Sequence, residues 1–373
     1  MSDNDKSALQ KALSADWNRW LSGAADYNIR SRFQVLPPTI FQFITNYRCN
    51  ARCAMCNIWQ APHKHEMTAQ ELAALMDPDP LFDSVEDLLV MGGESSLRSD
   101  FVDIVAYLVR RLPKARALSL VTNGFLPKRI LAQTEGILGL IESKKIKLSM
   151  SVSLDGIGAL HDQVRGIPGA FDKALETITG LQALQKRHDF WLGVGYVLMH
   201  QNLRQARELR EWAAARGLDV SFQMVAFHDT YISNQDRQDD VDFRAEDREE
   251  LIAFMQQLAG ERSLTNWAAL YWSDMVRMYR DGAPRMTPCP FAMDGVALDA
   301  YGDVSYCLSS PKIGNVNDEK RSVGEIYHDP KNLRFRAAEL RKRMCPGCNS
   351  GCGVGIAIKK DAKKYLKFLV TGR

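Results

Sequence analysis

Residues 46–59 read NYRCNARCAMCNIW and place Cys49, Cys53 and Cys56 at C-x3-C-x2-C spacing. The preceding residues 39–45, TIFQFIT, have the apolar and β-branched character of a buried strand, so we expect the cysteines in the loop that follows it. Three thiolates can hold three irons of a 4Fe-4S cubane and leave the fourth iron open. Structural zinc is the competing interpretation, but it requires four closed ligands, and the nearest further candidates are His63 and His65.

Strand-like and helix-like segments alternate after this point in units of about 30 residues, which is typical of repeated βα units and a parallel sheet. We predict an α/β fold, a partial (β/α)6 TIM-like barrel, with a small C-terminal iron-sulfur domain. The predicted strands are residues 39–45, 87–91, 117–122, 147–154, 191–199 and 219–225. The predicted division is a helical cap over 1–37, the barrel over 38–283 and a cysteine-rich domain with a basic C-terminal helix over 284–373.

Two further motifs follow strands of the predicted barrel. Met91-Gly92-Gly93-Glu94 ends the second strand, where glycines permit a close approach to a ligand and a carboxylate can accept hydrogen bonds from an ammonium group. On the fourth strand the period of two places Ser149, Ser151, Ser153 and Asp155 on one face. A polar face is unusual in a parallel sheet that is buried on both sides, and the alternative is an edge strand with a solvated face.

Together these motifs resemble the radical S-adenosylmethionine (SAM) superfamily, in which an apolar residue, here Met55, precedes the third cysteine. The resemblance implies that the open iron of the cluster chelates SAM, whose reductive cleavage yields a 5'-deoxyadenosyl radical. It also implies a reducing partner such as flavodoxin or ferredoxin. The residues that it assigns to SAM binding are Met55, Gly92, Gly93, Glu94, Ser151, Ser153 and Arg165.

Five cysteines lie near the C-terminus: Cys289, Cys307, Cys345, Cys348 and Cys352. Residues 299–307, with Gly302 at their centre, read as a β-hairpin. Zinc is an alternative here too, because a Cys-x2-Cys pair and two distant cysteines can complete a tetrahedron. The pattern resembles the SPASM and Twitch extensions of radical SAM enzymes, which hold auxiliary 4Fe-4S clusters.

Because a full SPASM set has seven cysteines, the resemblance favours the smaller Twitch version with one auxiliary cluster, ligated by Cys289, Cys307, Cys345 and Cys348. Two 4Fe-4S clusters are therefore expected in the whole chain. Cys352 is left as an alternative ligand, a turn residue or a catalytic hydrogen-atom donor. Leu308 stands where sulfatase-maturing members carry an acidic base, which disfavours that chemistry.

The formal net charge of +3 gives no indication of nucleic-acid binding. The N-terminal residues have neither the basic nor the apolar region of a signal peptide, and no later stretch reaches the roughly 18 to 20 apolar residues of a membrane span. We therefore expect a cytoplasmic protein without membrane partners.

Three functions compete at this point. The first is an oxidoreductase or epimerase that abstracts a hydrogen atom from a small metabolite such as a sugar or cyclitol. The second is a maturase that cross-links or epimerises a ribosomally made peptide, against which the first 37 residues are too few for the leader-binding domain that many maturases carry. The third is a zinc-stabilised binding module without catalysis.

Overall fold

The computed structural model describes residues 22–262, 266–360 and 362–371. Residues 22–28 of the predicted N-terminal helical cap form helix α1, residues 30–32 form a 3-10 helix and residues 33–37 form no helix. Residues 1–21 lie outside the described residues.

The described strands form one sheet in the order β6-β5-β4-β3-β2-β1-β7-β8-β9. Neighbours from β6 to β7 run parallel, and β8 and β9 are antiparallel to their neighbours. The six predicted strands correspond to β1–β6, with ends that differ by at most one residue. The bounds are β1 Ile40–Ile44, β2 Asp87–Met91, β3 Ala117–Thr122, β4 Lys147–Ser153, β5 Trp191–Leu198, β6 Asp219–Met224, β7 Gly295–Asp299, β8 Asp303–Ser305 and β9 Gly314–Asn315.

Helices connect the parallel strands and cover the outer face of the sheet. A capping box is present at Thr68, whose side chain accepts from the Glu71 backbone amide, and Pro127 stands at the first position of its helix. The helix bounds are α2 Ala69–Met76, α3 Phe101–Arg111, α4 Pro127–Ile141, α5 Ala159–Arg165, α6 Ala170–Gln185, α7 Ala206–Ala214, α8 Gln238–Val241, α9 Arg248–Gly260, α10 Ala268–Asp281, α11 Pro290–Met293, α12 Val316–Glu319, α13 Val323–Tyr327, α14 Pro330–Phe335, α15 Val354–Lys360 and α16 Ala362–Thr371, with a π-helix over Arg336–Met344.

Strand β4 shows how the barrel is layered. Its residues Leu148, Met150 and Val152 are buried in the main hydrophobic core, while the serines between them are only half-buried. Apolar residues on one face and small polar ones on the other give the sheet a packed outer side and an accessible inner side. The fold is therefore the expected partial α/β barrel with a polar inner wall.

The cysteine-rich segment continues the barrel sheet. Strand β7 pairs in parallel with β1 from Ile40↔Gly295 to Ile44↔Asp299, and the predicted hairpin follows as β7–β8 with Gly302 at φ +89°. A positive φ suits glycine, which has no Cβ. Pairing with β1 brings the C-terminal cysteines to the barrel.

The C-terminal basic segment differs from a simple solvated helix. It forms α15 and α16, and the Lys360 side chain at the end of α15 is buried in an ion pair with Asp294. Asp294 also accepts from Tyr27 at 2.7 Å and from Thr39 at 2.6 Å. None of the described helices has the length and apolarity that crossing a membrane requires.

Candidate iron-sulfur and cofactor site

The first cysteine loop leaves β1 and rests on the end of α5. The Arg52 amide donates to the Arg165 carbonyl at 2.9 Å, and the Ala54 amide donates to the Val164 carbonyl at 2.8 Å. Gly166 has φ +65°, and a Cβ there would lie 2.5 Å from the Arg52 carbonyl oxygen. This close approach of two backbones fixes the shape of the loop that carries the thiols.

Arg165 carries its charge into the same loop. Its guanidinium forms an ion pair of 2.5 Å with the buried Asp155 and lies 3.5 Å from the Cys53 sulfur. The pKa of the Cys53 thiol is raised by burial and held back by this neighbouring cation. Arg165, which the sequence placed at the cofactor, therefore lies at the first cysteine loop.

The Gly92-Gly93-Glu94 motif packs tightly against the first cysteine loop. A Cβ at Gly92 would lie 2.4 Å from the Asn46 side-chain oxygen, and one at Gly93 would lie 2.2 Å from the Arg48 carbonyl oxygen. Glycine is required here because two loops meet.

The Glu94 carboxylate joins neighbouring strand ends. It accepts from the Thr122 hydroxyl at 2.9 Å and from the Asn123 backbone amide at 2.7 Å. The motif thus holds the ends of β1, β2 and β3 together at the cysteine loop.

The inner wall of the barrel is neutral and polar at its centre. Ser151 and Ser153 lie half-buried on β4, opposite Gly193 and Gly195 of β5. In the described part of the chain, their hydroxyls have no hydrogen-bond partner. Hydroxyls beside glycines leave room and hydrogen-bonding capacity for a ligand.

Three of the five C-terminal cysteines lie on the inner side of β1 and β2. Cys289, Cys307 and Cys352 pack with Ile40 and Leu89 in one apolar cluster. Burial and then the neighbouring Cys289 thiol raise the pKa of Cys345 to about 12 and that of Cys352 to about 12.

Cys352 reaches the barrel interior. The Gln42 side-chain amide on β1 lies 3.8 Å from the Cys352 sulfur and 3.1 Å from the Met91 sulfur. Gln42 itself is buried. A cysteine 310 positions along the chain therefore contacts the strand that precedes the first cysteine loop.

Residues 226–243, the loop after β6, connect the two cysteine groups. The Asn234 side-chain amide donates to the Met55 carbonyl at 2.8 Å, and the Thr230 hydroxyl donates to the Leu308 carbonyl at 2.5 Å. Tyr231 donates to the Gly92 carbonyl oxygen. The pKa of Tyr231 is raised by burial and then by the Cys56 and Cys49 thiols.

Thiol spacing distinguishes iron-sulfur clusters from zinc. Among the described residues, the group of three potential ligands with atoms within 4.8 Å of one another is His200, Glu246 and Asp247, and it contains no cysteine. Zn–S bonds of about 2.3 Å would hold thiolates about 4 Å apart, whereas a cubane inserts iron and sulfide between them. The free, half-buried thiols therefore fit clusters better than zinc.

The sequence prediction missed four contributors to this site: Gln42, Tyr231, Asn234 and Arg285. The polar character of residues 226–243 was a signal for the loop, but a glutamine in a buried strand and an arginine four residues before a cysteine carry no local signature.

Comparison with protein families agrees with this geometry. Residues 43–213 match the Radical SAM superfamily, and residues 289–353 match the SPASM iron-sulfur cluster-binding domain. These two regions contain all eight cysteines.

Individual relatives are distant. The chain is 23% identical over 302 residues to the antilisterial bacteriocin subtilosin biosynthesis protein AlbA of Bacillus subtilis, covering 80% of this chain and 60% of that protein. It is 23% identical over 329 residues to an AdoMet-dependent heme synthase of Oleidesulfovibrio alaskensis, covering 82% and 79%. Streptococcus suis SuiB bound to its precursor peptide SuiA superposes with a TM-score of 0.56 at 14% identity, covering 90% and 76%, which shows the fold.

Proposed function

We propose that this chain, a radical SAM enzyme with a SPASM iron-sulfur domain, oxidises a peptide substrate by abstracting a hydrogen atom from it. Its cofactors are SAM and two 4Fe-4S clusters. We assign Cys49, Cys53 and Cys56 to the cluster that binds SAM, and assign the auxiliary cluster to Cys289, Cys307, Cys345 and Cys348. The proposed SAM contacts are Met55, Gly92, Gly93, Glu94, Ser151, Ser153 and Arg165.

The observation that carries the proposal is the convergence of both cysteine groups on the barrel interior, where Gln42 meets Cys352 and the loop of residues 226–243 bonds to both cysteine segments at Met55 and Leu308. When bound and reduced by a partner such as flavodoxin or ferredoxin, the cluster held by Cys49, Cys53 and Cys56 would supply the electron for reductive cleavage of SAM, which provides the abstractor of a substrate hydrogen atom. The cluster held by Cys289, Cys307, Cys345 and Cys348 would supply an acceptor for the electron that the substrate releases together with a proton after that abstraction.

His228 is the proposed proton acceptor. The Thr230 hydroxyl gives its one proton to the Leu308 carbonyl, so its oxygen accepts from His228 Nδ1–H at 3.0 Å and leaves the lone pair on Nε2. Burial lowers the pKa of His228 to about 4, which keeps the ring neutral at pH 7. Through the Thr230 hydroxyl, this neutral imidazole is linked to the backbone carbonyl of Leu308, and it offers a base in a chain whose residue 308 carries no acid.

Substrate class is proposed from the relatives. AlbA acts in bacteriocin biosynthesis, and SuiB was solved with a precursor peptide. A small metabolite that undergoes dehydrogenation or epimerisation remains the second candidate, and in an epimerisation the half-buried Cys352 thiol would be the hydrogen-atom donor.

The substrate test uses the reconstituted enzyme with dithionite and SAM. Peptide, small-metabolite and tetrapyrrole fractions of an extract of the encoding organism are added separately, and 5'-deoxyadenosine is quantified. We expect the peptide fraction to stimulate its formation and one peptide to lose two hydrogen atoms by mass spectrometry. Stimulation by another fraction alone would contradict the peptide assignment. The matched control is Cys53→Ala, which should form no 5'-deoxyadenosine.

Iron content tests the ligand assignment. Wild type should bind about eight irons, and the variant with Cys49, Cys53 and Cys56 all changed to Ala should bind about four, because each cubane holds four. A wild type with only about four irons, or with zinc, would contradict the assignment.

A further inference from the structure

Arg285 lies between α10 and α11 and joins the segments that carry the C-terminal cysteines. Its Nε donates to the Thr287 hydroxyl at 3.0 Å, and its Nη1 donates to the Ser350 carbonyl at 2.7 Å. Its own backbone amide donates to the Pro346 carbonyl at 2.8 Å. Arg285 thus fixes the segment that precedes Cys289 relative to the turn that contains Cys348 and Cys352.

The other terminal nitrogen of Arg285 is unsatisfied. Nη2 is buried and has no hydrogen-bond partner in the part of the chain that the structure describes. A buried charged donor without an acceptor is destabilising, because nothing compensates for the loss of its hydration. Asp274 is engaged elsewhere: it accepts from the Thr287 amide at 2.7 Å and pairs with Arg277 at 2.7 Å. The guanidinium therefore has room for a further anionic acceptor.

The groups around this cation are thiols. Arg285 Nη1 donates to the Cys348 carbonyl at 3.3 Å, and the Ser350 backbone amide of the same turn donates to the Cys348 sulfur at 3.4 Å. Cys289 follows Arg285 by four residues, and the proposed function assigns both Cys289 and Cys348 to the auxiliary cluster. A cation among cluster ligands stabilises the more negative, reduced state of a cluster.

We propose that Arg285 Nη2 donates a hydrogen bond to a thiolate or sulfide sulfur of the auxiliary cluster and raises the reduction potential of that cluster. The inference rests on the proposed function for the identity of the ligands. Arg285 acts through the cluster and is therefore a positioning residue. Because its reduction potential is higher, the auxiliary cluster would accept an electron from a substrate radical more readily.

The test is a potentiometric titration of the holoenzyme followed by electron paramagnetic resonance. Added SAM perturbs the first cluster and so identifies the auxiliary signal. We expect Arg285→Gln to lower the midpoint potential of the auxiliary cluster and Arg285→Lys, which keeps the charge but loses the planar fork, to lower it less. Arg280→Gln is the matched control, because Arg280 pairs with Asp281 on the surface, and it should leave the potential unchanged.

An unchanged midpoint in an Arg285→Gln enzyme with both clusters intact would overturn the inference, including the case in which only the KM for substrate rises. If Arg285→Gln retains only the first cluster, Arg285→Lys decides: a lowered midpoint supports the inference and a wild-type midpoint overturns it. A potential that responds to Arg285 in an enzyme that oxidises no peptide would support the inference and contradict the proposed substrate alone.

Discussion

Glu94 illustrates how one residue can serve structure and ligand at once. Its carboxylate accepts from Thr122, from the Asn123 amide and from the Ser96 amide, and its backbone carbonyl accepts from Asn46. The sequence motif predicts a contact with SAM, and the structure adds these internal hydrogen bonds. A test of Glu94 therefore has to distinguish loss of the contact with SAM from loss of these internal hydrogen bonds.

We expect Glu94→Ala to weaken SAM binding by tens of fold, because a charge-assisted contact is worth roughly 1.5 to 3 kcal/mol. Affinity is measured by equilibrium dialysis on reconstituted enzyme. Thr122→Val is the control, since it removes one internal donor to the carboxylate and keeps the charge. A folded Glu94→Ala enzyme with wild-type SAM affinity would exclude the residue from the cofactor site.

His161 provides a pH-dependent contribution to stability. Burial lowers its pKa to about 3, and its Nδ1 accepts from the Asp155 amide at 3.0 Å. The unfolded chain binds a proton near pH 6.5 that the folded chain excludes, so stability is complete above pH 6.5 and falls as the pH drops towards 3.

Between pH 7 and pH 5.5 this histidine should cost the cluster-free chain about 1.3 kcal/mol of unfolding free energy. Urea denaturation at both pH values should show a smaller loss for His161→Gln than for wild type. His328→Gln, at an exposed site, should retain the wild-type loss. Equal losses in wild type and His161→Gln would show that His161 is not responsible.

At the scale of elements, the loop of residues 226–243 determines how the two cysteine groups face each other. Asn234 is fully buried and anchors it through the Met55 carbonyl at 2.8 Å, the Ala226 carbonyl at 3.0 Å and the His228 amide at 3.1 Å. The Asn234 side chain therefore adds three hydrogen bonds to those of the loop backbone.

Asn234→Ala should lower the free energy of unfolding by about 1 to 3 kcal/mol, because it leaves buried carbonyls and an amide without partners. Limited proteolysis should show new cleavage between residues 226 and 243. Asn28→Ala, which removes an exposed hydrogen bond to the Ala24 carbonyl, is the control. Unchanged cleavage in Asn234→Ala would contradict the anchoring role.

Across the whole molecule, Lys360 and Asp294 link distant parts of the chain. The buried pair joins α15 to the start of β7, and Asp294 also holds Tyr27 of α1 and Thr39 before β1. We propose the division 1–37, 38–283 and 284–373 as functional regions, although β7 belongs to the barrel sheet by pairing.

Lys360→Met should destabilise the chain by about 3 to 5 kcal/mol, because it leaves Asp294 as an uncompensated buried charge. Adding Asp294→Asn should restore part of the loss, since the charge is then removed. Both are measured by urea denaturation, with the exposed Lys331→Met as control. A Lys360→Met chain as stable as wild type would show that the pair contributes nothing.

The sequence by itself determined the features that depend on local spacing. The C-x3-C-x2-C segment, the βα alternation, the serine face of β4 and the hairpin at Gly302 were all predicted, because period and turn chemistry act between neighbours in the chain. The family and its cofactors followed from the same patterns.

Tertiary structure decided which distant residues meet. The pairing of β7 with β1, the contact of Gln42 with Cys352 and the unsatisfied Arg285 nitrogen could not be predicted from the sequence. Strand neighbours far apart in the chain are selected by complementary buried surfaces, and buried charges are placed by the partners that the fold brings to them. Strand pairing and the placement of buried charges depend on contacts between segments that are distant in the chain, so no short segment determines them.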